Sequence, residues 1–200
     1  MSARSILGAL GVITALAAGV MSAQAMEDST AQVEATPFDA GIGIGEAVPI
    51  IEESTSTGDM QTLDALMGEK GVVLAFVRSA DWCPFCKAQL IELNKIAEEL
   101  KAEGYPLVAL SYDAADIQAG FIDKQGLTYT MLSDEDSSVI KAFGLLNEEY
   151  EPDSRAYGVP HPAIYVIGTD GVVQGKLMEE GYKDRPANEA VLELVNGLAG

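Results

Sequence analysis

Apolar positions along this chain follow two different patterns, and each pattern predicts one kind of element. Segments that are apolar at almost every position are typical of strands buried on both faces of a sheet. The dipeptide Asp170-Gly171 predicts a tight turn, and therefore a hairpin, near the end of the chain. The predicted strands cover residues 72–77, 106–111, 128–132, 163–167 and 172–176.

Apolar residues three and four positions apart predict helices between these strands. The longest helical segment has an apolar stripe that includes Leu90, Leu93 and Leu100, and Gly104 ends it. The predicted helices cover residues 59–69, 88–103, 115–125, 136–143 and 188–198. Strands and helices that alternate in this order predict an α/β fold, with a mixed central sheet and helices on both of its faces.

The first 25 residues have the pattern of a secretory signal peptide. Arg4 precedes an uncharged apolar stretch, and Ala23-Gln24-Ala25 is the small-x-small pattern that a signal peptidase accepts. The apolar stretch of about 15 residues is shorter than the roughly 20 that a membrane-spanning helix needs. We therefore expect cleavage after Ala25, export to the periplasm, and no membrane attachment of the mature chain.

The length of 200 residues suits one domain with an appendage. Residues 26–58 are polar and acidic, and we predict an extended N-terminal segment there that contributes one edge strand. Regular periodicity begins after Gly58. We therefore predict that residues 59–200 form the folded domain.

The composition limits the partners that the chain can have. Hydrophobic residues make up 48% of the chain and charged residues 22%, which is typical of a globular protein. The formal net charge is −19, so phosphate backbones repel the chain and we expect no nucleic-acid partner. Two cysteines and one histidine do not fill the usual four-ligand zinc site. We expect no metal and no other cofactor.

The two cysteines, Cys83 and Cys86, follow the strongest predicted strand and precede the longest predicted helix. A disulfide that closes so short a loop removes little entropy from the unfolded chain, so a purely structural role is a weak explanation. A helix N-terminus favours the thiolate of Cys83, and Pro84 suits the first turn. We predict that Cys83 is the exposed nucleophile and that the shielded Cys86 resolves the mixed disulfide.

The stretch around these cysteines resembles the active site of the thioredoxin superfamily, with the sequence Trp82-Cys83-Pro84-Phe85-Cys86-Lys87. From about residue 59 to 198 the chain is similar to peroxiredoxin-like redoxins, the alkyl-hydroperoxide-reductase/thiol-specific-antioxidant group, and to exported thiol–disulfide oxidoreductases. Residues 76–83, 131–134 and 162–171 carry the rest of this resemblance. It implies a thioredoxin-like fold and a redox-active disulfide between the two cysteines.

The resemblance also implies supporting residues around the disulfide. The family has a cis-proline before its third core strand, and of the two candidates, Pro160 and Pro162, the spacing to Asp170-Gly171 favours Pro162. His161 is then either a loop residue or an imidazole that faces Cys83 and favours its thiolate. The family uses the residue at Trp82 to cover the cysteines. We expect Arg78 and Lys87 to be solvated charges.

Two functions in redox chemistry follow from these residues. The first is an exported thiol–disulfide oxidoreductase that acts on protein thiols and disulfides, with a redox partner that resets its disulfide. The alternative is a thiol peroxidase, in which Cys83 forms a sulfenic acid with a hydroperoxide and Cys86 resolves it. The chain departs from the peroxiredoxin pattern at Ala80, where the family has Thr or Ser, and at Pro162, where it has Arg. Ser79 and Arg78 are nearby in sequence.

A third function is a copper-binding assembly factor. Two thiolates and one imidazole suit Cu(I), and the sequence from His161 onward weakly resembles exported copper chaperones of this fold. Those chaperones have three residues between their cysteines, whereas Cys83 and Cys86 have two residues between them.

Overall fold

The structure is a computed structural model that describes residues 39–179, 181 and 183–198. The chain divides into two units, residues 1–35 and 36–200, and all described residues belong to the second. The predicted signal peptide and the start of the predicted N-terminal segment lie outside the described residues. None of the helices that are described has both the length and the apolar character needed to cross a membrane.

The described residues form one seven-stranded sheet in the order β2-β1-β5-β4-β3-β6-β7. Strands β3 and β4, and β4 and β5, run parallel, and the remaining pairs are antiparallel. The predicted mixed sheet is therefore confirmed. In chain order the strands are β1 Glu52–Thr55, β2 Met60–Thr62, β3 Gly71–Phe76, β4 Leu107–Ser111, β5 Thr130–Ser133, β6 Ala163–Gly168 and β7 Val173–Met178.

Helices cover both faces of this sheet, and its central strands are therefore buried on both sides. Successive residues of β3 alternate between two separate clusters, with Val73 and Ala75 in one and Leu74 and Phe76 in the other. The first cluster packs against α2, α3, α4 and α6, and the second against α1 and α5. The helices are α1 Leu63–Leu66, α2 Pro84–Asn94, α3 Ala97–Ala102, α4 Ala115–Gln125, α5 Ser138–Ala142 and α6 Asn188–Leu198.

Two helix predictions need correction. Residues 59–69 contain strand β2 and the single turn α1 instead of one helix. The helix predicted over 88–103 begins earlier, at Pro84, and is broken into α2 and α3. At the break, the amides of Lys95 and Ile96 donate to carbonyls three residues back, which tightens the last turn of α2.

The described part of the predicted N-terminal segment, residues 39–58, belongs to the folded unit. Strand β1 lies inside the sheet between β2 and β5, so it is not an edge strand. Ala47 forms a bridge with Val172, next to the start of β7. The sheet therefore begins before residue 59, within the segment that the sequence predicted as an extended lead-in.

Candidate active site

Cys83 and Cys86 lie where the chain leaves β3 and enters α2, and they form a disulfide with their Cα atoms 5.3 Å apart. Cys83 is the N-cap residue of α2, and its Sγ accepts a hydrogen bond of 3.2 Å from the Cys86 amide. Pro84 occupies the first turn, where the missing N–H costs the helix nothing. The sulfur of Cys83 therefore lies at the positive end of a helix, where a thiolate is stabilised.

The disulfide is buried. Only 2% of Cys83 and none of Cys86 is exposed, and both residues belong to the larger apolar cluster of the domain. The prediction of an exposed Cys83 is therefore wrong for the oxidised protein. Trp82 packs against the cluster that contains both sulfurs, which is compatible with the predicted covering role.

The Trp82 side chain is held from several sides. Its indole N–H donates a hydrogen bond of 2.8 Å to the Tyr112 hydroxyl, which in turn donates to the carbonyl oxygen of Arg155. The guanidinium carbons of Arg78 and Arg155 lie 5.3 and 4.9 Å from the centroid of the indole ring. Cation–π contacts of this kind fix an aromatic ring in place, so the residue before Cys83 has a defined position.

Arg78 is not the solvated charge that the sequence predicted. It is 4% exposed, and its Nη2 donates a hydrogen bond of 2.6 Å to the Tyr150 hydroxyl. Its guanidinium also lies 5.1 Å from the Tyr150 ring centroid. Lys87 is more accessible than Arg78, and its ammonium donates to the carbonyl oxygen of Asp81 at 2.6 Å.

A buried carboxylate fixes the turn before the cysteines. Asp113 accepts hydrogen bonds from the Ser79 hydroxyl at 2.7 Å, the Ala80 amide at 2.6 Å and the Ser111 hydroxyl at 2.8 Å. Ser79 Oγ also accepts a hydrogen bond of 3.0 Å from the Asp81 amide. The Ser79 hydroxyl is therefore directed at Asp113, and it does not replace the hydroxyl that peroxiredoxins have at the position of Ala80.

Pro162 directly precedes β6, but the prediction of a cis bond is wrong because no cis peptide bond occurs in the described residues. The two residues before Pro162 pair with the backbone of another loop. Pro160 forms a bridge with Leu146, and the His161 amide donates to the Leu145 carbonyl at 2.7 Å.

His161 is half-buried. The pKa of its imidazole is lowered. Burial is the largest cause, the carboxylate of Glu149 opposes it, and the charge of Arg78 adds to it. In the part of the chain that the structure describes, which includes His161 and both cysteines, no group of three His, Cys, Asp or Glu side chains is arranged to hold a metal ion. The geometry therefore gives no support to a copper site built from these three residues.

Arg185 is a site residue that the sequence did not reveal. Its Nη2 donates a hydrogen bond to Cys86 Sγ at 3.4 Å across 99 positions of sequence. The pKa of Arg185 is lowered to about 10, mainly by burial and also by the like charge of Arg78, while Asp184 opposes the shift. The guanidinium therefore remains charged at neutral pH. No local pattern predicts this contact because Arg185 precedes α6, whereas Cys86 lies in α2.

A cavity of about 380 Å³ lies beside Arg185, between the start of α2 and the start of α6. Phe85, Ala88 and Gln89 line it on the side of α2. Lys183 and Ala187 line it on the opposite side. Arg185 both lines this cavity and donates to the buried sulfur of Cys86, which does not itself line the cavity.

The fold and the disulfide at the start of α2 define a thiol-based oxidoreductase with a thioredoxin-like fold. The sequence profile of the AhpC/TSA family matches residues 44–176, and the chain belongs to this family. A putative peroxiredoxin Bcp of Coxiella burnetii is 27% identical over 132 residues, which cover 66% of this chain and 85% of that protein. Peroxiredoxin Bcp of Escherichia coli K12 is 27% identical over 130 residues, covering 65% of this chain and 81% of its own length.

Solved structures show the same fold. The peroxidoxin BcpB of Mycobacterium tuberculosis superposes with a TM-score of 0.66 at 26% identity, covering 78% of this chain and 97% of that one. A peroxiredoxin-like protein of Aquifex aeolicus gives a TM-score of 0.66 at 22% identity, covering 82% of this chain and 91% of its own. The expected thioredoxin-like fold of the redoxin group is confirmed.

Proposed function

We propose that the protein is a thiol peroxidase with a two-cysteine cycle. The observation that carries this proposal is the Cys83–Cys86 disulfide at the N-terminus of α2, with the Arg185 guanidinium against one of its sulfurs. The similarity to peroxiredoxins supports peroxide as the oxidant. The sequence alone favours a protein thiol–disulfide oxidoreductase, with a thiol peroxidase as the alternative, and the similarity to peroxiredoxins favours the peroxidase.

The cycle uses both cysteines. The Cys83 thiolate attacks the terminal, hydrogen-bearing oxygen of a hydroperoxide, the O–O bond breaks, and the departing alkoxide takes a proton to leave as an alcohol. Cys83 is then a sulfenic acid, whose sulfur the Cys86 thiolate attacks. The disulfide forms and hydroxide leaves, which becomes water on protonation. A dithiol partner then reduces the disulfide and is itself oxidised.

The cavity beside Arg185, which neither cysteine lines, suits the organic group of a hydroperoxide. The cavity beside Arg185 has Phe85 and Ala88 on one wall, and its volume of about 380 Å³ leaves room for more than a peroxide group. Arg185 provides positive charge beside Cys86, whose thiolate attacks the sulfenic acid during resolution. We therefore include an organic hydroperoxide in the test below.

A second function is a dithiol–disulfide oxidoreductase that acts on protein substrates. Two observations favour it over a peroxidase: only two residues separate the cysteines, and the Ser79 hydroxyl is bound by Asp113 instead of facing the reactive sulfur. Ala80 and Pro162 also stand where peroxiredoxins have their activating Thr or Ser and Arg. In this reading Cys83 attacks a partner disulfide, and Cys86 releases the partner.

The two functions are separated by measuring peroxide loss and insulin reduction on the same reduced sample. We expect the wild-type mature chain to consume hydrogen peroxide or cumene hydroperoxide in the presence of a dithiol, and the Cys83→Ser variant to consume neither. Rapid insulin reduction together with peroxide loss no faster than that of Cys83→Ser would reject the peroxidase and favour the oxidoreductase.

We also propose that the protein is exported and acts in the periplasm. The support comes from residues 1–25 alone, with Arg4, the apolar stretch and the Ala23-Gln24-Ala25 pattern. The test is the intact mass of the protein recovered from a periplasmic extract. A mass that corresponds to a chain starting at Met26 supports export, and full-length protein found only in the cytoplasmic fraction contradicts it.

A further inference from the structure

The contact between Arg185 and the disulfide is asymmetric. Arg185 Nη2 donates to the sulfur of Cys86 at 3.4 Å, whereas Cys83 Sγ accepts from the backbone amide of Cys86 at 3.2 Å. Each sulfur therefore has its own positively polarised donor, and Cys86 has the one with a full charge. Cys86 is also the more deeply buried sulfur, with no exposed surface.

We propose that Arg185 is a further catalytic residue, which stabilises Cys86 as a thiolate and thereby directs the external reductant to the sulfur of Cys83. This inference rests on the proposed two-cysteine cycle. It assigns a role to a residue that lies far from the cysteines in sequence and enters the site only through the fold.

The role follows from which bond breaks during disulfide reduction. A reductant thiolate that attacks Cys83 Sγ forms a mixed disulfide with Cys83, and the electron pair of the broken S–S bond stays on Cys86. A thiolate leaves faster when the pKa of its thiol is lower, and a guanidinium at hydrogen-bond distance lowers that pKa. The second thiol of the reductant then attacks the mixed disulfide, which releases the Cys83 thiolate and an oxidised dithiol.

The same contact acts in the oxidising direction. After Cys83 has become a sulfenic acid, its sulfur is attacked by Cys86, and only the thiolate form of Cys86 is nucleophilic. A sulfur without solvent contact favours the neutral thiol, because burial disfavours a charge. Arg185 opposes this effect of burial.

Other charges near Arg185 influence how strongly it stabilises the Cys86 thiolate. Asp184 acts on Arg185 with opposite charge, and Arg78 acts on it with like charge. Glu92 and Glu189 line the adjacent cavity, but Glu92 is paired with Lys95 at 2.6 Å. Among the described residues, the charged side chain that donates a hydrogen bond to a sulfur of the disulfide is that of Arg185.

The test isolates Cys86 in a Cys83→Ser background and follows thiolate absorbance in the ultraviolet against pH. We expect Arg185→Gln to raise the pKa of Cys86 by about one unit or more, since a neighbouring opposite charge shifts a pKa by that amount. Arg185→Lys keeps the charge and should retain part of the effect. Lys101→Gln, in which an exposed lysine of α3 loses its charge, is the matched control and should leave the pKa unchanged.

A Cys86 pKa that moves no further in Arg185→Gln than in Lys101→Gln overturns the proposal. The measurement needs no turnover, so a chain without peroxidase activity still decides it. A second readout with both cysteines present covers the case in which Arg185→Gln folds poorly in the Cys83→Ser background. In the protein with both cysteines, Arg185→Gln should lower the reduction potential of the disulfide by about 30 mV for each tenfold loss of thiolate stabilisation. An unchanged potential in a folded variant rejects the role.

Discussion

Asp113 and Ser79 are joined by a buried hydrogen bond of 2.7 Å between a carboxylate oxygen and the serine hydroxyl. The bond ties the chain just after β4 to the turn that leads from β3 to Cys83. A second oxygen of Asp113 accepts the Ala80 amide, so the carboxylate fixes both the backbone and a side chain of this turn. The position of the reactive sulfur therefore depends on a residue that follows the neighbouring strand β4.

Asp113→Ala should weaken both the fold and the site. The Ser79 hydroxyl and the Ala80 amide would lose their partner in a buried environment, and buried hydrogen bonds to a charged group each contribute about 1.5–3 kcal/mol. We expect the free energy of unfolding to fall by at least about 2 kcal/mol in chemical denaturation. Asp123→Ala, at an exposed carboxylate of α4, is the control and should change it by less than about 0.5 kcal/mol.

Tyr150→Phe tests the anchor of Arg78. The substitution removes the hydroxyl that accepts from Arg78 Nη2 at 2.6 Å but keeps the ring under the guanidinium. We expect a loss of about 1 kcal/mol in the free energy of unfolding, the net value of one hydrogen bond. Tyr157→Phe, at an exposed tyrosine, should have no measurable effect. Equal effects of the two substitutions would argue against an anchoring role for Tyr150.

The two cysteine variants should behave differently toward peroxide. In Cys86→Ser, the sulfenic acid formed at Cys83 has no resolving thiol and should accumulate. Intact mass after peroxide treatment, and labelling with a sulfenic-acid reagent, should detect it. In Cys83→Ser, labelling should stay at the background level. Equal labelling of the two variants would contradict the assignment of Cys83 as the attacking residue.

Glu53 should make stability depend on pH. The pKa of this β1 carboxyl is raised from 4.5 to about 7, mainly by burial and also by the negative charges of Asp134 and Asp136. The folded protein then binds the proton more tightly than the unfolded chain does, so this contribution is complete below pH 4.5 and is lost as pH rises through 7. Glu53→Gln should therefore raise the melting temperature at pH 8 and not at pH 4. Glu52→Gln, its exposed neighbour, is the control.

Sequence predicted best where one kind of side chain dominates a segment. The apolar run at 72–77 predicted a buried strand, and β3 is buried at every position because both faces of the sheet are covered. The cysteine spacing predicted a helix start, and Cys83 is the N-cap of α2. Both predictions depend only on neighbours along the chain.

The remaining site features depend on contacts that no local pattern encodes. Asp113 meets Ser79 across 34 positions, and Arg185 meets Cys86 across 99. Arg78 was predicted as solvated because a charged residue usually is, but partners from distant loops bury it. The cis bond at Pro162 was carried over from the family and not from any pattern in this chain, and the described residues contain no cis peptide bond.

The contact between residues 46–47 and residues 172–173 has a consequence for folding during synthesis. Ala47 bridges Val172, and Glu46 accepts a hydrogen bond of 2.9 Å from the Val173 amide. A chain that emerges N-terminus first must hold residues 46 and 47 without these partners until residues 172 and 173 have been released. Domains generally fold as units. Residues 46 and 47, which precede β1, therefore stay without these partners while residues 48–171 are being made.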